Sequence, residues 1–133
     1  MSTINATLSL QTSDIFPDPV SLSTTVSNQV NLNADFASDV LPMNKKVAIY
    51  GPSQKSNPSG TTYMYIKSLP TNSAKINVYL VDKNSTEILA MNLWPGDFAW
   101  FPLLDDAQIV SVKVLNLSTT TTAKLDYFFG ERG

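Results

Sequence analysis

Ile4-Asn5-Ala6-Thr7-Leu8-Ser9-Leu10 places an apolar side chain at every second position and a polar or small one between. A period of two sends alternate side chains to opposite faces of an extended chain, so the stretch predicts a strand with one buried face. Pro17 and Pro19, bracketing Asp18, end it. Val20, Leu22, Thr24 and Val26 then alternate with Ser21, Ser23 and Thr25, and the pattern resumes through Val30 and Leu32. Val47, Ile49 and Tyr50 form a short strand closed by Gly51-Pro52, before a run without periodicity, Ser53 to Gly60, that is read as an exposed loop.

Three hairpin-like units follow. Thr61–Leu69 and Lys75–Val81 flank Pro70-Thr-Asn-Ser73. Ile88–Leu93 and Phe98–Phe101 flank Trp94-Pro-Gly-Asp97, where Pro-Gly favours a type II turn. Gln108–Leu117 and Ala123–Phe129 flank Ser118-Thr-Thr-Thr-Thr122. Phe36, Val40 and Leu41 are spaced for one helical turn within Ala34–Met43, limited by Pro42. About eight to nine short strands at this spacing predict an all-β fold, a single antiparallel β-sandwich of jelly-roll or Ig-like type. Residues 1–35 form an N-terminal strand segment, either an edge strand or an intersubunit arm that adds to a neighbour, and 36–133 the sandwich body.

At 133 residues the chain suits one domain and needs no disulfide or metal to hold its core. Ser, Thr and Asn number 15, 13 and 11, a composition fitting strands with one solvated face. The net charge is −2, and Lys45-Lys46 is the only adjacent basic pair. Nothing clusters positive charge for phosphate, so direct nucleic-acid binding is not expected. The apolar stretch around Leu89–Leu104 is broken by Asn92, Pro95, Gly96 and Asp97, so no membrane span is expected. Met1-Ser-Thr-Ile-Asn has neither a basic leader nor an apolar core, so no secretory signal is expected.

With no histidine and no cysteine, the chain has no Ser–His–Asp triad, no thiol nucleophile and no conventional zinc site. Its five glycines form no phosphate loop. The acids Asp14, Asp18, Asp35, Asp39, Asp97 and Asp105-Asp106 sit in turn contexts, where Asp caps its own backbone. No EF-hand spacing supports calcium. The expectation is therefore a non-enzyme without cofactor or metal.

Leu93 to Pro102 holds four aromatics, Trp94, Phe98, Trp100 and Phe101. Core packing, an interface anchor and a sugar-stacking platform each account for them. Val78-Tyr79-Leu80-Val81 and Tyr127-Phe128-Phe129 are apolar on both faces, which implies that something covers the second face, a partner subunit being the natural candidate. Tyr79, Trp94, Trp100 and Phe128 are the candidate interface residues. A weak echo links Ile66-Lys-Ser-Leu, a turn and Ala74-Lys-Ile-Asn-Val-Tyr with Val112-Lys-Val-Leu, a turn and Ala123-Lys-Leu-Asp-Tyr-Phe. Two copies do not make a repeat fold, and hairpins converge on such patterns.

Ala6-Thr-Leu-Ser-Leu10, Tyr63-Met-Tyr-Ile-Lys-Ser-Leu69 and Glu87-Ile-Leu-Ala-Met-Asn-Leu-Trp-Pro-Gly-Asp-Phe-Ala-Trp-Phe-Pro-Leu103 resemble phrases of small virion proteins of tailed bacteriophages. The resemblance implies a capsid decoration (cement) protein that binds the major capsid protein and stabilises the head. It also implies a homotrimer or other symmetric homo-oligomer, located on the virion and made in the host cytoplasm. The alternative is a tail or head-fibre component with a receptor- or carbohydrate-binding role.

Overall fold

A computed structural model describes residues 2–12, 20–32, 37–51, 62–103 and 109–132. The fold is all-β, with ten strands: β1 (Ser2–Thr12), β2 (Val20–Leu32), β3 (Ala37–Leu41), β4 (Lys46–Tyr50), β5 (Thr62–Ser68), β6 (Ile76–Asp82), β7 (Glu87–Leu93), β8 (Phe98–Pro102), β9 (Ile109–Asn116) and β10 (Ala123–Arg132). Within the stretch whose spacing also allowed one helical turn, Ala37–Leu41 is strand β3.

Every pairing is antiparallel. One sheet runs β1-β2-β10-β5-β8, with β3 also on β10; the other runs β4-β9-β6-β7. From β3 to β10 the chain changes sheet at every connection except β6–β7. The pairs β3·β10, β4·β9, β5·β8 and β6·β7 are those of one long antiparallel ribbon rolled around a core. That is a jelly roll, which settles the choice left between jelly-roll and Ig-like sandwiches.

The same topology corrects the hairpins. The connections β5–β6, β7–β8 and β9–β10 are arches between the two sheets, and β6–β7 is the hairpin. A polar turn between alternating strands is common to both geometries, so sequence spacing does not separate them. In the true hairpin the Asp82 carboxylate accepts the Asn84 and Thr86 amides at 2.8 and 2.9 Å. In the β7–β8 arch Gly96 has φ +93° and the Asp97 amide donates to the Trp94 carbonyl at 2.9 Å, the type II turn expected of Pro-Gly.

The internal echo has a structural counterpart. Leu69 N–H donates to the Lys124 carbonyl at 3.3 Å, and Leu117 N–H donates to the Lys75 carbonyl at 3.2 Å. The arches β5–β6 and β9–β10 thus occupy equivalent places, each tied to the other's far end. The structural match sets Ser68-Leu69 against Asn116-Leu117, two residues on from the sequence alignment at that end.

The core follows the strand alternation. In β5, Met64 and Ile66 are buried while Tyr63, Tyr65 and Lys67 point outward; in β10, Leu125 and Phe129 are buried. Phe129 stacks on Tyr50 with ring centroids 4.4 Å apart.

β1 and β2 lie outside this barrel-like body. They pair over eleven positions, Ser2↔Val30 to Thr12↔Val20, yet β2 meets β10 only through Leu32↔Gly130, Asn31↔Glu131 and Val30↔Arg132. The N-terminal segment is therefore a two-stranded ribbon hung from the last residues of β10. The face of β1 expected to be buried remains largely open, with Leu8 and Leu10 51% and 52% exposed.

Candidate functional site

Register defines the site. Tyr65 pairs with Trp100 and Phe128, Tyr63 with Gly130 and Pro102, and Lys67 with Phe98, so these side chains share the outer face of the larger sheet. Tyr63 and Trp100 stack at 5.5 Å with planes 12° apart, Tyr65 and Phe128 stack at 5.4 Å, and Trp100 tilts against Phe128 at 5.6 Å. The result is an aromatic stripe across β8, β5 and β10.

Gly130 also pairs with Leu32, so the even-numbered positions of β2 lie on that same outer face. Through the β1–β2 register they are joined by Ala6, Leu8 and Leu10, since Ala6 pairs with Val26 and Leu10 with Leu22. The apolar face of the ribbon therefore continues the aromatic stripe. The opposite face is polar: Thr7 and Thr25 hydroxyls meet at 2.8 Å, and Ser27 donates to the Asn5 side-chain carbonyl at 2.6 Å.

The ribbon curls over the stripe, leaving a groove of about 610 Å³ between Leu8 and Val26 on one side and Tyr63, Phe98, Trp100 and Pro102 on the other. A second hollow of about 340 Å³, reaching Ile4, Tyr65 and Phe128, adjoins it through Ala6, Phe98 and Trp100. Among the described residues, none that lines either hollow is charged.

Of the four residues singled out from sequence, the structure brings together two. Trp100 and Phe128 sit in the stripe. Tyr79 lies on the outer face of the other sheet, where Lys46 Nζ stands 4.0 Å above its ring. Trp94 projects from the β7–β8 arch, 60% exposed, with Lys75 Nζ 5.4 Å from its ring centroid. Within the chain, the second face of β6 carries a lysine stem over Tyr79, and that of β10 packs against aromatics of its own sheet. Tyr63, Tyr65 and Phe98 are not among the four residues singled out from sequence. Their parity with Trp100 along paired strands is the signal that groups them, and it needs the register.

Around Tyr79, Glu87 bridges Lys46 and Lys113, the latter at 2.9 Å. The two ammonium groups, Lys46 foremost, hold the Glu87 carboxyl below its ordinary range, and Glu87 in turn raises Lys46. The described acids serve structure. Asp97 accepts the Trp94 amide at 3.0 Å, Asp126 accepts from the Ser38 hydroxyl, and Asp39 accepts the Tyr127 hydroxyl at 2.6 Å. Among the described residues no group of three or more acids gathers to hold a metal, and no helix is long and apolar enough to cross a membrane. Asp14, Asp18, Asp35, Asp105, Asp106 and the Ser53–Gly60 loop lie outside the described residues.

Burial, reinforced by the Asp39 hydrogen bond, pushes the Tyr127 phenol well above its ordinary range, and burial with the Asp126 charge raises Tyr65. A raised folded pKa contributes stability that is complete below about pH 10, the ordinary tyrosine value, and is lost as pH climbs beyond it. In an ultraviolet phenolate titration of the folded protein, Tyr127 and Tyr65 should therefore ionise above the ordinary tyrosine value, Tyr127 furthest. Tyr127→Phe should cost roughly 1 kcal/mol in denaturant titrations and flatten that alkaline loss. Ionisation of both at the ordinary tyrosine value in the folded protein would contradict this assignment.

No family model matches the chain, and no curated protein does. Among solved structures it is similar to a subunit from work describing Bacillus endospore appendages as a family of disulfide-linked pili. The TM-score is 0.48 at 12% identity, over 84% of this chain and 96% of that one. The comparison corrects the virion reading: the similar protein belongs to a pilus, not a capsid. The capsid decoration role, the major capsid partner, the closed trimer built on it and the virion location are withdrawn with it. The phrase that carried the phage resemblance has a plain physical role here. Within it, Trp94–Asp97 is the inter-sheet arch between β7 and β8, whose Pro-Gly turn any jelly roll can use. The present chain has no cysteine, so it cannot form the disulfide links named for that pilus.

Proposed function

We propose that this chain is a non-enzymatic structural subunit that assembles with copies of itself into a fibre, with the N-terminal β1–β2 ribbon as the joining element. The ribbon itself carries the reading. Its described residues, Ser2–Thr12 and Val20–Leu32, include no charged side chain and no proline. β1 is the outermost strand of its sheet, eleven residues long. Proteins that stay monomeric blunt such an edge with lysine, proline, a bulge or a very short strand, and β1 has none of these. A two-stranded ribbon alone is also marginal in water, so it needs a further partner. Without cysteine, the joint between subunits is noncovalent, made of strand pairing and apolar contact.

A carbohydrate-binding role is less well supported. Sugars stack on open ring faces, whereas Tyr63 and Trp100 each turn one face towards the other, which reduces the aromatic surface left for a sugar.

Light scattering after size exclusion, with electron microscopy of the same samples, tests the reading. The expected result is concentration-dependent growth into linear assemblies. Leu10→Lys with Leu22→Lys, which sets two charges opposite each other on the ribbon's exposed face, should shift the protein to monomer. A wild-type chain monomeric at every concentration would sink the proposal.

A further inference from the structure

The groove beneath the ribbon is larger than its own chain fills. Its two hollows span about 610 and 340 Å³, within the range of a small-ligand site, yet their described lining offers no charged group to orient a small molecule. Leu10 and Leu22, paired across the ribbon on its apolar face, are 52% and 58% exposed and line neither hollow. Each copy thus carries an apolar seat it leaves open and apolar side chains it leaves unseated.

We infer that the groove between the β1–β2 ribbon and the Tyr63–Trp100–Phe128 stripe seats the apolar face of a second copy's ribbon. The inference rests on the self-assembly reading above and specifies its contact. Three features favour another copy of this chain as the occupant. The chemistry matches, leucine and valine against aromatic and aliphatic walls, and large aromatics are the usual anchors of interfaces. Among the described residues that line the groove and the apolar face of the ribbon none is charged, so those residues of two copies meet without like-charge repulsion. The size also suffices. An eleven-pair ribbon is roughly 36 Å long and about 10 Å wide, so ribbon and stripe on each of two copies bury on the order of 1,400 Å², a standard stable interface. The contact is face to face, with side chains interdigitating, and leaves the β1 edge free for strand pairing.

The absence of cysteine makes a direct test clean. Two separately tagged single-cysteine chains, Leu10→Cys and Pro102→Cys, are mixed, assembled and oxidised. A mixed disulfide between the two tags is necessarily intermolecular. The expected result is mixed dimers at several times the yield of either homodimer, lost when the assembly is dissociated before oxidation. In parallel, Trp94→Phe leaves Trp100 as the sole tryptophan, and its emission should shift to the blue as concentration drives assembly. Phe98→Lys, on an exposed rim position, should weaken association tenfold or more while leaving the fold intact by circular dichroism. Assembly by light scattering without mixed disulfides and without a Trp100 shift would overturn the groove contact while preserving the fibre reading. Absence of assembly would overturn both. A Trp100 shift produced by oligosaccharides, with none on self-association, would assign the groove to a glycan and overturn the inference.

Discussion

Replacing Phe129 with alanine should lower stability by about 3–5 kcal/mol, whereas the same change at its neighbour Phe128 should cost no more than about 2. The two side chains leave β10 in opposite directions. Phe129 is fully buried, stacked on Tyr50 at 4.4 Å and met edge-on by Tyr127 at 6.0 Å. Removing it opens a cavity between the sheets and strands the Tyr50 ring, whose place in the core depends on that stack. Phe128 is half-buried in the outer stripe, where neighbouring rings and solvent can close over the gap. For a domain of this size the Phe129 loss corresponds to a melting point lower by about 10–20 °C. Denaturant unfolding of both variants at a concentration that keeps the chain monomeric measures the contrast. Equal losses would mean that β10 is not the strand dividing core from surface. For assembly the order should reverse, with Phe128→Ala weakening it more than its small stability cost explains.

That reversal marks the boundary of what the residue pattern conveys. Alternation in Ile4–Leu10 and Val20–Val26 correctly shows strands, and the absence of His and Cys narrows the chemistry before any fold is known. Alternation cannot say what covers the apolar face. Leu8 and Leu10 have the same spacing as Met64 and Ile66, yet the first pair is half exposed and the second fully buried. The difference lies in sheet order, which depends on contacts far apart in sequence. The arches were misread as hairpins for a related reason: a turn's composition reflects local backbone conformation, while its role depends on where the next strand finds a partner. The aromatic stripe is likewise a product of register. Tyr65, Trp100 and Phe128 come from three strands separated by some thirty residues each, and only their pairing makes them neighbours. The turn chemistry was the most local part and the most legible, as Pro95-Gly96 shows. The phage resemblance rested on strand-and-turn phrases of the same local kind, which carry no information about the role.

Asn72 should be the most sensitive polar residue in the molecule. It lies in the β5–β6 arch, 9% exposed, and joins that arch to the start of β10. Its side-chain carbonyl accepts the Lys124 amide at 2.7 Å, and its amino group donates to the Lys124 carbonyl at 2.8 Å and to the Ser68 hydroxyl at 2.9 Å. Ser68 is itself fully buried. Asn72→Ala therefore leaves a backbone N–H and a buried hydroxyl without these partners, and should cost about 2–4 kcal/mol. Asn72→Asp keeps the acceptor for the Lys124 amide but sets a carboxylate against the Lys124 carbonyl, so it should recover only part of the loss. Amide hydrogen exchange at Lys124 should accelerate in both variants, more in the alanine. A cost below about 1 kcal/mol for Asn72→Ala would show that water replaces the side chain and that the arch is not latched. The ribbon hangs from Gly130–Arg132, six to eight residues further along β10 than Lys124, or roughly 20–25 Å at strand spacing. Below its melting temperature the Asn72 variant should consequently assemble as well as the parent. Loss of stability with assembly retained, set against Phe128→Ala with stability largely retained and assembly lost, separates the arch latch from the joint along one strand.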